Sequence, residues 1–74
     1  MNNSIWNQLE GNWKQLVGNA KERWGEFTED ELIELSGNRD KLIGEIQERY
    51  GIAQEEATEQ VDEWANNLKM RINQ

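Results

Sequence analysis

The sequence predicts an all-α domain of four helices, arranged as two packed αα-hairpins with an internal repeat of approximate two-fold symmetry. Three observations lead there. Residues 11–25 return 26 positions later as residues 37–51, with seven of fifteen positions identical and Val17/Ile43, Ala20/Ile46 and Trp24/Tyr50 exchanging one apolar side chain for another. Apolar residues recur in steps of three and four, the spacing of one face of a helix. No run alternates apolar with polar as a half-buried strand does, and the chain contains no proline to interrupt a helix.

The first helix carries Trp6, Leu9, Trp13, Leu16, Val17, Ala20 and Trp24 on one stripe. Asn3 or Ser4 can cap its start, and Gly25 is placed to end it in a left-handed conformation. Gly11 and Gly18 interrupt the pattern, each costing about 1 kcal/mol against alanine. Two readings stand: one continuous helix, or a break at Gly11 with Asn12 capping a fresh start. The second copy favours the break, because Asn38 sits where a cap is wanted.

Thr28-Glu29-Asp30-Glu31 reads as a capping box. The second helix then buries Leu32, Ile33 and Leu35, and Gly37 closes it. The third runs from Asn38 or Arg39 to Tyr50 with Leu42, Ile43, Ile46 and Tyr50 on its inner face, and Gly51 ends it as Gly25 ends the first. The fourth runs from about Gln54 to Arg71 along Ala57, Val61, Trp64, Ala65, Leu68 and Ile72. Ala53 is a poor cap, so Glu56 serves from within the first turn. The whole chain, 1–74, is one domain with repeat units at about 11–36 and 37–72.

All six glycines lie in the two copies, seven residues apart within each. Gly18 and Gly44 occupy equivalent mid-helix positions, which predicts a close crossing of the two equivalent helices, since an interior glycine that gains nothing only destabilises. Gly25, Gly51, Trp24, Tyr50 and Trp64 complete the expected structural set. So small a domain has few large side chains to bury, and the four tryptophans, Tyr50 and Phe27 supply much of its apolar area.

The composition excludes more function than it suggests. Without cysteine or histidine there is no disulfide, no thiolate metal site and no imidazole base. Ser4, Ser36, Thr28 and Thr58 therefore lack an activating partner, and no phosphate-binding glycine loop is present. The acids Glu29-Asp30-Glu31 and Glu55-Glu56 fall in first turns, where negative charge meets the helix dipole, and Lys69 and Arg71 fall in a last turn for the converse reason; calcium-loop spacing is absent. No catalytic residue, metal or cofactor is expected. The net charge of -7 is spread along the chain, seven acids against three bases in residues 1–36 and eight against five in 37–74. That disfavours phosphate contact, so no nucleic-acid partner is expected. With no basic start and no apolar run near the roughly 18 residues of a membrane span, the expectation is a cytoplasmic protein off the membrane, a monomer or weak dimer.

A protein partner is the remaining class. Trp13 stands out because its counterpart is Arg39, which suggests a half-buried position; with Trp6 it forms the candidate aromatic contact. Glu55, Glu59, Asp62 and Glu63 form an acidic stripe opposite the apolar face of the last helix, a solvated face or a dock for a basic partner. Arg23 and Arg49, each between a glutamate and an aromatic-glycine pair, are expected to brace the hairpins by pairing with an acid of the neighbouring helix or reaching terminal carbonyls.

The run Gly11-Asn12-Trp13-Lys14-Gln15 with Gly18, Lys21-Glu22-Arg23-Trp24-Gly25 and Thr28, followed by Gly37, Arg39-Asp40, Leu42, Gly44, Ile46-Gln47-Glu48-Arg49-Tyr50-Gly51 and then Glu55, Ala57 and Trp64, closely resembles the CsbD-like family of small bacterial proteins. The likeness covers most of the chain. It implies a cytoplasmic protein of the general stress response, with two packed helical hairpins similar to SAM-like domains and no established activity, cofactor or binding residues to carry over. The longer start, Asn2 to Glu10, and Ala53 depart from the family pattern. The resulting expectation is a non-enzymatic stress-response protein acting as a small interaction module. The alternatives are a hydrophilic protectant without a specific partner, which the mean hydropathy of -1.04 suits, and a nucleic-acid-binding helical domain, which the charge opposes.

Overall fold

The computed structural model describes residues 4–72, with the side chains of 5–68. Five helices follow one another: α1 (Ser4–Gly11), α2 (Trp13–Arg23), α3 (Glu29–Leu35), α4 (Arg39–Tyr50) and α5 (Gln54–Ile72), with no strand among the described residues. The count is five rather than four because the first stripe breaks at Asn12. Its amide bonds back to Gln8 and Leu9 and its carbonyl accepts from Gln15 and Leu16, so one residue ends α1 and begins α2. The Asn12 side chain makes no cap; its Nδ2 donates to the Gln8 carbonyl at 3.1 Å. The expected cap at Asn3 lies outside the described residues, as do the side chains of Lys69, Arg71 and Ile72.

Two helix starts are capped as the sequence requires. Thr28 Oγ1 accepts from the Glu31 amide at 3.1 Å while the Glu31 carboxylate accepts from the Thr28 amide at 2.9 Å, a complete capping box. Asn38 Oδ1 accepts from the Lys41 amide at 3.0 Å. The ends differ more. Gly51 is left-handed, with φ of 62°, but Gly25 is not among the positive-φ residues, and α2 instead stops at Trp24, whose φ of -127° and ψ of 81° are neither helical nor left-handed. The Trp24 ring at that turn is 1% exposed.

α2 packs on α3, α4 packs on α5, and α1 lies against both α5 and α2. Equivalent positions of the repeat, however, sit in different surroundings. Trp24 is buried while Tyr50 is 38% exposed, and α3 has seven residues where α5 has nineteen. Trp13 and Arg39 resolve their mismatch in an unexpected way. Each opens its helix and ties it to the next: the buried Trp13 Nε1 donates to the Leu32 carbonyl of α3 at 2.6 Å, and Arg39 forks onto Asp62 of α5 at 3.1 and 3.0 Å.

The core is a single cluster reaching from Ile5 to Leu68, without a buried polar or charged residue among those described. Trp64 joins the other three tryptophans. Its ring centroid is 6.4 Å from Trp6, 6.0 Å from Trp13 and 5.2 Å from Trp24, tilted or edge-on to each. Such edge-to-face pairs contribute about 0.5–1.5 kcal/mol beyond the area they bury. Ile5 joins the core although it stood outside the expected stripe, whereas Ile33 is 39% exposed and Leu16 only partly covered. With seven residues, α3 has room for one narrow apolar seam, which Leu32 and Leu35 fill.

The expected crossing at Gly18 and Gly44 is absent. Both are exposed, and a Cβ built on either meets nothing within 4 Å. The close approach is at Gly37, which is buried with φ of 76° directly after left-handed Ser36, and whose Cβ would stand 2.9 Å from Glu10 Cα. A side chain there would strain the turn and push α1 away. Gly37→Ala should therefore lower unfolding stability by about 2 kcal/mol or more, while Gly18→Ala and Gly44→Ala should each raise it by about 0.5–1 kcal/mol. Urea titration checks all three. Equal and opposite signs from these would exchange the roles of the glycines.

Candidate functional site

Side chains with chemical potential are mostly engaged in holding the fold. Thr28 is committed to its cap, and Ser36 Oγ donates weakly to the Ile33 and Glu34 carbonyls at 3.5 and 3.3 Å. The indole of Trp24 donates to Gln60 Oε1 and that of Trp64 to Asn19 Oδ1, both at 3.0 Å. Among the described residues no group of acids is arranged to hold a metal ion, and no helix is long and apolar enough to cross a membrane.

The connection between α2 and α3 is clamped by cations and a phenol. Lys21 Nζ donates to the Phe27 carbonyl at 3.2 Å, and the Glu26 amide donates to the Tyr50 hydroxyl at 3.0 Å. Arg49 lies over the Phe27 ring, donates to the Glu26 carbonyl at 3.0 Å and pairs with Glu31. It thus pairs with an acid of another helix, as expected, while the carbonyl it reaches belongs to the α2–α3 connection and not to a helix end. Among the described residues Arg23 makes neither contact and lies over Trp24, 5.3 Å from the ring centroid.

The expected partner residues do not form one surface. Trp13 is 5% exposed and directed into the core, so it is unavailable to a partner. Trp6 is half-buried and lines a groove with Glu10, Arg39 and Asp40 between α1 and the start of α4. Asp62 leaves the acidic stripe to bind Arg39, which holds that guanidinium above its ordinary range, the hydrogen bond being the main cause. Glu55, Glu59 and Glu63 remain exposed, one helical turn apart along α5, and Glu55 and Glu59 line a shallow depression with Gln54 and Thr58.

Sequence reasoning missed a second groove, of about 530 Å³, between α3 and α4. Phe27 and Leu35 are its apolar lining; Glu31 and Glu34 stand on one wall, Glu45 and Glu48 on the other, with Lys41 and the bare Gly44 between them. Its sequence signals were the Glu31/Glu34 and Glu45/Glu48 spacings of three, which place each pair on one helix face.

Glu31 links cap and clamp. Its carboxyl is held below the ordinary glutamate range, first by the Thr28 amide and then by Arg49. A lowered native pKa contributes stability that is complete above the unfolded value of about 4.5 and disappears as pH falls through the native one. The melting temperature of the wild type should accordingly exceed that of Glu31→Gln at neutral pH, with the gap closing as pH falls below about 4.5. A gap independent of pH would contradict the charged role of Glu31.

Comparison with known proteins adds a family. The sequence pattern described as CsbD-like matches residues 7–59. UPF0337 protein RPA4217 of Rhodopseudomonas palustris is 52% identical over 64 residues, covering 86% of this chain and 97% of its own. UPF0337 protein msl9551 of Mesorhizobium japonicum is 52% identical over 61 residues, 82% and 91% of the two chains, and UPF0337 protein RB0906 of Rhizobium meliloti 51% over 59, 80% and 86%. No solved structure matches the chain. With the matched pattern running through all five helices, from within α1 to the first turns of α5, the chain belongs to the CsbD-like family.

Proposed function

We propose that this chain is a cytoplasmic, non-enzymatic protein of the general stress response that acts by contact, its accessible carboxylates meeting a protein partner. The stress role follows the family. Contact is supported chiefly by the α5 face: Glu55, Glu59 and Glu63 repel one another at a spacing where like charges cost about 0.2–0.5 kcal/mol per pair, and none belongs to an ion pair among the described residues. At Glu55 the dipole at the start of α5 offsets that cost; at Glu59 and Glu63, beyond the first turn, it does not. Trp6 is the aromatic residue left for a contact; Trp13 and Asp62 serve the fold. Nucleic-acid binding stays disfavoured by the acidic surface.

The protectant alternative retains the support of the mean hydropathy, -1.04; the continuous apolar core weighs against it, since a protectant acting by abundance needs no packed domain. Replacing Glu55, Glu59 and Glu63 together by glutamine takes the formal charge from -7 to -4 and should leave the fold intact. In cells lacking the chain, this variant at wild-type abundance should fail to restore survival under stress. Full restoration, together with equal shielding of an unrelated enzyme from drying, would favour the protectant.

A further inference from the structure

Two helical units meet at one short turn. α1, α2 and α3 form the first, α4 and α5 the second, and only residues 36–38 lie between α3 and α4. That turn holds a costly backbone. Ser36, with φ of 56°, is the sole non-glycine residue of positive φ among the described residues, and Gly37 follows it at 76°. A residue with a side chain keeps such a conformation only where the surrounding structure imposes it. The turn is also pressed against α1, since a Cβ on Gly37 would stand 2.9 Å from Glu10 Cα. Yet the flanking sequence does not require a turn. Leu32, Leu35, Arg39, Leu42 and Ile46 are spaced three, four, three and four, so the buried seam of α3 continues in helical register into α4, with Arg39 its one polar member. No proline intervenes, and a hinge relaxed to helix would fuse residues 29–50 into one rod.

A chain opened at this hinge cannot bury its core alone. Trp64 of the second unit packs on Trp6, Trp13 and Trp24 of the first. The Trp24 indole donates to Gln60, the Trp64 indole to Asn19, and both Arg49 and Tyr50 bond to Glu26. What fits each bared unit, in shape and in polar contacts together, is the other unit of an identical chain. We propose that two copies open at Ser36-Gly37 and exchange their α4–α5 units, giving a dimer in which each core is assembled from both chains. The contacts between units are remade across the chains, so the two states differ chiefly at the hinge, the general condition for such an exchange. Opening releases the left-handed backbone of Ser36. Against it stand the loss of the Asn38 cap, a glycine placed inside a helix and the -7 charge of each copy. The closed chain is accordingly the resting form, and exchange follows unfolding at high concentration.

The test refolds the full chain from urea at high concentration and measures the dimer by size-exclusion chromatography with light scattering. Ser36→Gly favours the closed turn and Gly37→Ala the open one, each by about tenfold per hinge. Because a dimer contains two hinges, dimerisation should weaken about hundredfold in Ser36→Gly and strengthen about hundredfold in Gly37→Ala. Ser36→Ala, which brings no side chain against Glu10 and favours helix over serine, should shift the balance in the same direction as Gly37→Ala from a closed form that still folds. In dimer refolded from mixed isotope-labelled and unlabelled chains, nuclear Overhauser effects between the Trp24 and Trp64 rings should run from one chain to the other. Ring contacts confined to single chains, a dimer equally strong in Ser36→Gly and Ser36→Ala, or chains that stay monomeric through refolding with Ser36→Ala among them would each overturn the exchange.

Discussion

The fold depends on how Trp64 is seated. Its indole stands among Trp6 of α1, Trp13 of α2 and Trp24 at the end of α2, so a single α5 side chain touches three parts of the amino-terminal half. Polar ends of these rings are satisfied without opening the core to water, through Leu32, Gln60 and Asn19. An unpartnered buried indole N–H would cost about 1–3 kcal/mol, comparable with what the ring packing contributes. Orientation is therefore fixed along with burial, and a chain of this size has little else of comparable area to set the position of α5.

Around that centre the molecule is closed by smaller devices. Trp13 and Arg39 tie the starts of α2 and α4 to the helices that follow, one by an indole donor and the other by a guanidinium fork. Gly37 lets the α3–α4 turn come against α1, and Arg49 binds the loop at Phe27 to the end of α4. These contacts consume the groups that would otherwise suggest chemistry. Among the charged groups left accessible are the α5 carboxylates Glu55, Glu59 and Glu63, alongside exposed acids and lysines elsewhere on the surface.

The helices themselves were legible because burial follows periodicity: Leu9, Val17, Leu42, Ile46, Val61 and Leu68 all lie inside where spacing put them. Caps at Thr28 and Asn38 were equally legible, being local hydrogen bonds. Glycine roles were legible only in part: Gly51 ends α4 in the left-handed conformation its position suggested, but the mid-helix glycines were misread. Gly18, Gly37 and Gly44 look alike in a repeat, yet only Gly37 meets a neighbour, and that neighbour comes from α1, outside the repeat altogether. Similarly, Trp13 was expected to be half-buried because Arg39 shares its position, yet it is 5% exposed. Sequence equivalence does not reveal that an indole and a guanidinium can do the same tethering job at different depths. The free carboxylates of α5 could be read from spacing, but the withdrawal of Asp62 from them depends on where α4 begins.

The most direct measurement is the unfolding free energy of Trp64→Ala, with near-ultraviolet circular dichroism of the remaining tryptophans. Loss of the central ring should cost about 3–5 kcal/mol, a large part of the roughly 4–11 kcal/mol available to a domain of this length, and should erase the ordered aromatic signal. A loss below about 1 kcal/mol, with the aromatic signal of the other three rings preserved, would contradict the claim that Trp64 organises the fold.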